Sequence, residues 1–323
     1  MQFVYYDQSS FRQFVQFVSL RVWGLIRKMG FYEFSITFVL FLLITGWLTY
    51  IKARRQRLLS AVQVTTWNDV SSSFFAHRRD IIIFGPVGRR EGAAEPNLLL
   101  VNDGQDHEGL LIRETLANMS SRGDLTALVV VAVPTGEGRL QEYGTAVAPN
   151  AQGLGREADA YSQFITTELI PMLQTRLGVG FAAAKTAVCG ASLGGLSAFD
   201  LAWNFPQLFG AVGVFSGAFW WRAAPEETAI APGRRIAHEM VRETAVRHRF
   251  RGWFQAATLD ETSDRDGNGV IDAVQDTLEL IAEIESRSVS AKDIIYHEVA
   301  GGRHNYDTWS QIFPIFLKWV FAG

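Results

Sequence analysis

The sequence predicts an α/β domain built on a mostly parallel central sheet with helices on both faces, preceded by an N-terminal transmembrane helix. Three observations predict it. Short, continuously apolar runs recur from about Ala61 onwards. Stretches with helical apolar spacing lie between them. One long uncharged stretch stands ahead of both. Continuous apolar runs suit parallel strands covered on both faces, and strands alternating with helices imply crossover connections.

The uncharged stretch runs from Phe34 to Ile51 (FSITFVLFLLITGWLTYI), eighteen residues. At about 1.5 Å per residue it nearly spans a hydrocarbon core of about 30 Å. Trp47 and Tyr50 stand towards one end, as interfacial aromatics do. Arg27 and Lys28 precede the stretch, and Lys52, Arg54, Arg55 and Arg57 follow it. The basic residues are too evenly divided to fix which side the following domain occupies. Before this stretch, residues 11–29 place Phe14, Phe17, Val18, Val22, Trp23 and Ile26 at helical intervals, with Arg12, Arg21, Arg27 and Lys28 interleaved. That is an amphipathic helix for a membrane surface or a partner protein. The expected organisation is a membrane-associated segment over 1–60, acting as a single-pass anchor, and one α/β domain over 61–323.

Within that domain, Asp80–Phe84, Asn97–Val101, Ala127–Val133, Thr186–Cys189, Ala211–Phe215, Trp253–Thr258 and Ile294–Val299 read as strands. Glu157–Leu177, Leu193–Asn204, Val274–Ser286 and Thr308–Val320 read as helices. With 48% hydrophobic residues, the 323-residue chain buries a sizeable core. A net charge of −3, with no single basic patch, speaks against nucleic acid as a partner. One cysteine, Cys189, excludes an intrachain disulfide. The long Gly-rich connection from Pro134 to Gly155 follows a strand, where loops of that length shape binding sites.

Gly190-Ala191-Ser192-Leu193-Gly194 fits G-x-S-x-G. The bare motif carries little weight, but a strand (KTAVC) runs into it and a helix (LGGLSAFDLAWNF) runs out. That is the strand–turn–helix context of a nucleophile elbow, in which the serine hydroxyl stands at the carboxyl end of the sheet.

The segment GASLGGLSAFDLAWNFPQLFGAVGVFSGAFWW resembles the esterase-D-like, enterochelin-esterase-like family of α/β-hydrolases. The shared features are G-x-S-x-G-G, a helix ending before Pro-x-x-Phe, and a strand leading to Ser-Gly and aromatics. The resemblance extends from about residue 65 to the C-terminus and does not cover the membrane segment. It implies the α/β-hydrolase fold and ester chemistry through a Ser, Asp, His triad in that chain order. Of six histidines, only His297 and His304 come late enough. His297 sits within a strand-like run, whereas His304 sits in the turn after it, free to reach over the sheet end. The family's Gly-x-His followed by an aromatic and Trp is similar to this segment, with Arg303 interposed. The family's acid lies in a Gly-Thr-x-Asp-like stretch. Ala257-Thr258-Leu259-Asp260 matches it except at the glycine, which points to Asp260, with Glu261 as the adjacent alternative. The oxyanion hole would use the backbone N–H of Leu193 and, by the family's Asp-Gly-x turn, that of Gln105.

Trp220 and Trp221 are candidates to line the acyl or alcohol pocket, with core packing as the competing role. Asp264, Asp266, Asn268 and Asp272 fall at positions 1, 3, 5 and 9 of an EF-hand-like loop with Gly269 at position 6. Position 12 is Gln275 in place of glutamate. The loop is thus either a structural calcium site or a plain polar turn, and the ester chemistry itself needs no cofactor. The expected substrate is a small-molecule or glycan ester. Acyl transfer on the same scaffold is the alternative chemistry. A catalytically silent subunit of a membrane assembly, with a membrane-protein partner, is the non-enzymatic alternative.

Overall fold

The Leu- and Val-rich runs assemble one eight-stranded sheet. The computed structural model describes residues 31–87, 95–125, 127–224, 234–244, 250–287 and 289–321, and the chain divides into two units, Met1–Arg57 and Leu58–Gly323. The strands are β1 (Val64–Val70), β2 (Arg79–Val87), β3 (Asn97–Asn102), β4 (Leu128–Val133), β5 (Thr186–Ala191), β6 (Ala211–Phe215), β7 (Gly252–Leu259) and β8 (Ile294–Arg303). Their order is β1-β2-β4-β3-β5-β6-β7-β8. β2 pairs antiparallel with β1 and with β4, and every later pairing is parallel.

The helices are α1 (Phe31–Ser60), α2 (Ile112–Arg122), a single turn α3 (Arg139–Glu142), α4 (Ala158–Gln163), α5 (Ile170–Leu177), α6 (Leu193–Asn204), α7 (Ile236–Glu243), α8 (Asp272–Ser286) and α9 (Tyr306–Phe321). A π-helical turn, Phe164–Leu169, joins α4 to α5. Pro171, in the first turn of α5, has no N–H to offer the preceding turn, and a wider turn accommodates that loss.

The two-residue period of the strands divides the core between the sheet's faces. Val129, Val131 and Val133 of β4 join Leu98 and Leu100 of β3 on one face, with Leu196 and Phe199 of α6. Leu128, Val130 and Ala132 join Leu99 and Val101 on the other, with Leu116 of α2 and Phe313 and Phe316 of α9. All these side chains are essentially inaccessible. Each fully buried Val, Leu or Phe contributes about 1.5–3 kcal/mol relative to exposure. This two-sided burial is what the continuously apolar strand runs require.

The segment expected to span a membrane, 34–51, falls within α1. Among the described residues no helix is long and apolar enough to cross a membrane. From Phe38 to Ile51 the side chains are uncharged and largely exposed. Lys52, Arg54 and Arg55 follow this stretch. The transmembrane expectation is corrected to this extent: α1 is a long helix with an unburied apolar surface. The amphipathic helix expected over 11–29 lies outside the described residues.

Candidate active site

β5 ends at Ala191, and Ser192 turns the chain into α6 at φ 54°, ψ −123°. A non-glycine residue holds such a conformation only when its surroundings over-determine it, at a cost of order 1–3 kcal/mol. Here they do. The Ser192 N–H donates to the carbonyl of Phe215 at 2.9 Å, and its carbonyl accepts the N–H groups of Gly195 at 3.0 Å and Ala218 at 3.0 Å. The flanking glycines let helix and strand approach. A Cβ at Gly190 would collide with the Gly194 carbonyl, and one at Gly194 would meet Asp103 Oδ2 at 2.5 Å.

The turn after β3 lies against this elbow. Asn102 donates from Nδ2 to the Gly194 carbonyl at 2.8 Å and accepts the Tyr161 hydroxyl at 2.7 Å. Asp103 stands in the left-handed region at φ 57°. Its N–H donates to the Tyr143 hydroxyl at 2.7 Å, and its carboxylate takes a bidentate contact from Arg139, at 2.6 and 2.8 Å. Burial raises the hydroxyl pKa of Tyr143, so it stays a neutral hydrogen-bonding group. A Cβ at Gly104 would strike the backbone of Ala132 and Val133 at 2.5 Å, so this turn packs tightly on the end of β4. Gln105 follows. Its side chain donates to Asp103 at 3.1 Å and accepts the Thr135 N–H at 3.1 Å. Between this turn and the elbow lies a hollow of about 310 Å³, counting space open to solvent, bordered by Asn102, Asp103, Asp106, Gly190, Ala191 and Tyr306.

The Gly-rich connection after β4 is tied down on α6. The Ser197 hydroxyl bonds both the N–H and the carbonyl of Gly144, at 2.9 and 3.2 Å, and Ala146 N–H donates to Asp200 at 3.2 Å. Burial pushes the Asp200 carboxyl up to about 7. Glu142 in the same loop is fully buried and paired with Arg79 at 2.9 Å.

Asp260 follows β7. Its Oδ2 accepts the Ala257 N–H at 2.9 Å and its Oδ1 accepts the Ser216 hydroxyl at 3.0 Å. His304 follows β8 with its Nδ1 3.7 Å from Asp260 Oδ1, within ion-pair range but longer than a hydrogen bond. The Asp260 side chain is buried, whereas that of His304 is 39% exposed. Glu261 turns elsewhere: it accepts a backbone hydrogen bond from Ala273 in α8, and burial raises its pKa. The Gly301 N–H donates to Thr258 Oγ1 at 2.8 Å, fastening the end of β8 to that of β7. Ser192, Asp260 and His304 therefore all leave the carboxyl edges of β5, β7 and β8, in a row of parallel neighbours with β6 between the first two.

Two tryptophans expected at the pocket separate. Trp220 is half exposed. Trp221 is buried, with its ring against Gly144 and Gly155. Its pocket role is corrected to core packing, because Gly144 and Gly155 leave a slot that the indole fills. The acidic loop is closed by its own hydrogen bonds. Asp264 accepts the N–H groups of Asn268 at 3.1 Å and Gly269 at 2.9 Å, and Gln275 donates to Asp266 at 3.0 Å. Asp272 accepts the Arg265 N–H at 3.0 Å and pairs with its guanidinium. Among the described residues no three His, Cys, Asp or Glu side chains gather to hold a metal ion. Position 12 carries an amide and position 9 faces an arginine, while positions 1, 3 and 5 keep their side-chain oxygens.

Sequence reasoning did not single out Ser216, Trp309, Tyr143 or Arg139. Only Ser216 and Trp309 left a trace, as the Ser-Gly and the Trp of the family resemblance. Nothing local marks Tyr143 or Arg139, whose partners lie 40 and 36 positions away.

The Esterase family model matches residues 72–319. Solved structures similar to this chain include the enterochelin esterase of Shigella flexneri, at 20% identity and a TM-score of 0.61, covering 80% of this chain and 58% of that one. A ferulic acid esterase gives 15% identity and a TM-score of 0.58, covering 81% of this chain and 97% of that one. The curated protein YbbA of Bacillus subtilis (strain 168), described as uncharacterized, is 28% identical over 122 residues, 36% of this chain and 48% of YbbA. The chain thus spans under two thirds of the Shigella enzyme and about half of YbbA. What it shares with the solved structures is the fold.

Proposed function

The chain belongs to the Esterase family, and from that premise we propose that it is a serine esterase working through an acyl-enzyme. Ser192 is the nucleophile, His304 the general base and Asp260 the residue that orients the imidazole and stabilises its protonated form. His304 Nε2 takes the Ser192 proton as the oxygen attacks the ester carbonyl. The N–H groups of Leu193, in the first turn of α6, and of Gln105 hold the oxyanion. The alcohol leaves with the proton from His304. Water then attacks the acyl-enzyme carbonyl, giving a proton to His304; the intermediate collapses, the carboxylic acid leaves, and His304 returns that proton to the Ser192 oxygen. Trp220 borders the substrate. The substrate class is a small-molecule or glycan ester.

The observation that carries this reading is the strained, positive-φ backbone of Ser192 at the strand–helix junction, the geometry of a nucleophile elbow. Product analysis tests it. With short aryl esters, acid and alcohol should appear in equal amounts after a burst of alcohol. Acid that fails to appear unless replaced by a new ester of an added sugar or lipid acceptor would favour acyl transfer. No ester turnover at all would favour the silent-subunit reading.

Localisation is a separate proposal. The exposed apolar surface of α1, followed by Lys52, Arg54, Arg55 and Arg57, supports attachment of the protein to a membrane. The full chain should float with liposomes in a density gradient, and a chain starting at Leu58 should not. Equal distribution of the two would overturn the attachment.

A further inference from the structure

Ser216 stands one residue past β6, between the strand bordering the elbow and the strand that leads to Asp260. It is buried and held at φ 47°. Its N–H donates to the Gln255 carbonyl at 2.7 Å. Its hydroxyl has three polar neighbours: Asp260 Oδ1 at 3.0 Å, Trp309 Nε1 at 3.0 Å and Gln255 Oε1 at 3.5 Å. An indole N–H only donates, so the Ser216 oxygen accepts from Trp309. Its single proton goes to the nearer and negatively charged acceptor, Asp260. The hydrogen bonds therefore run one way, from Trp309 through Ser216 to Asp260. With the Ala257 N–H on Oδ2, both carboxylate oxygens are fixed, and the oxygen that Ser216 holds is the one facing His304. Trp309 closes the circuit, since its ring meets the His304 imidazole edge-to-face at 5.1 Å. The same turn also grips the nucleophile: Phe215 accepts the Ser192 N–H and Ala218 donates to the Ser192 carbonyl.

We propose that Ser216 is a positioning residue that, with Trp309, orients the Asp260 carboxylate towards His304 and couples that alignment to the Ser192 turn. The proposal rests on the serine-esterase reading. It is tested with Ser216→Ala and Trp309→Phe, each made in the wild-type and the Asp260→Asn backgrounds and assayed on a short aryl ester. In the wild-type background Ser216→Ala should lower kcat about 10- to 100-fold with KM within about threefold, and Trp309→Phe, which keeps the ring and removes only the donor, about 3- to 10-fold. In the Asp260→Asn background each should cost less than about threefold more, because the group being positioned is already gone. If Ser216→Ala does not fold, the Trp309→Phe pair gives the same reading. Equal losses in both backgrounds, or wild-type kcat in both variants, would overturn the role. Fluorophosphonate labelling separates the two levels. A wild type labelled at Ser192 with uncoupled losses overturns only the Ser216 role, whereas a wild type that is not labelled removes the serine-esterase reading and this role with it.

Discussion

Ser192→Ala is expected to lower kcat for a short aryl ester by about a millionfold, with KM little changed. In the proposed mechanism the hydroxyl forms the covalent intermediate, and the substrate contacts that set ground-state binding remain. Adding His304→Ala to that variant should cost almost nothing further, since nucleophile and base act as a unit. The folded state should survive. The hydrogen bonds described at the elbow come from the Ser192 backbone and from Asn102 Nδ2, not from the Ser192 side chain. Alanine tolerates the left-handed conformation no worse than serine does. Steady-state kinetics beside a thermal melt would check both halves. A residual kcat above one tenth of wild type would move the nucleophile elsewhere.

Asp260→Asn should lower kcat by about 10,000-fold, a loss that follows from its hydrogen bonds. In the carboxylate, one oxygen takes the Ala257 N–H and the other the Ser216 hydroxyl while facing His304. Asparagine has one oxygen and one NH₂ group. If the NH₂ faces Ala257, donor meets donor in a buried place. If it faces Ser216 and His304, it repels the imidazole N–H and favours the tautomer with its proton on the nitrogen nearer the serine. Either way the base is misaligned or wrongly protonated. A variant retaining wild-type kcat would show that another group, Glu261 included, orients His304.

Much of the sheet was legible because its central strands are apolar on both faces. Ala211–Phe215 matches in full, and Asn97–Val101 and Thr186–Cys189 fall short only at their carboxyl ends. Those ends are polar or small because they enter the site. β1 (Val64–Val70) escaped notice for the opposite reason. It is an edge strand, polar and mostly exposed, and it pairs with β2 alone. α2 escaped notice although Ile112, Leu116 and Met119 stand at helical intervals on its buried face, because those three are its only large apolar side chains. The site was legible where one residue type dictates local geometry. Ser192 is announced by its glycines, and His304 by a turn that follows the last strand. What was illegible is what long-range packing decides. Nothing near Trp221 says that Gly144 and Gly155 will open a slot for it. The spacing of Asp264, Asp266, Asn268 and Asp272 does not reveal that Arg265 will occupy the ninth-position carboxylate.

The central claim is that Ser192 is an activated nucleophile, and covalent labelling with a fluorophosphonate followed by peptide mapping tests it most directly. The expected result is a single adduct on the peptide carrying Ser192, absent from Ser192→Ala and strongly slowed in His304→Ala. Labelling that persists in Ser192→Ala, or a folded wild type that takes up no label, would contradict it.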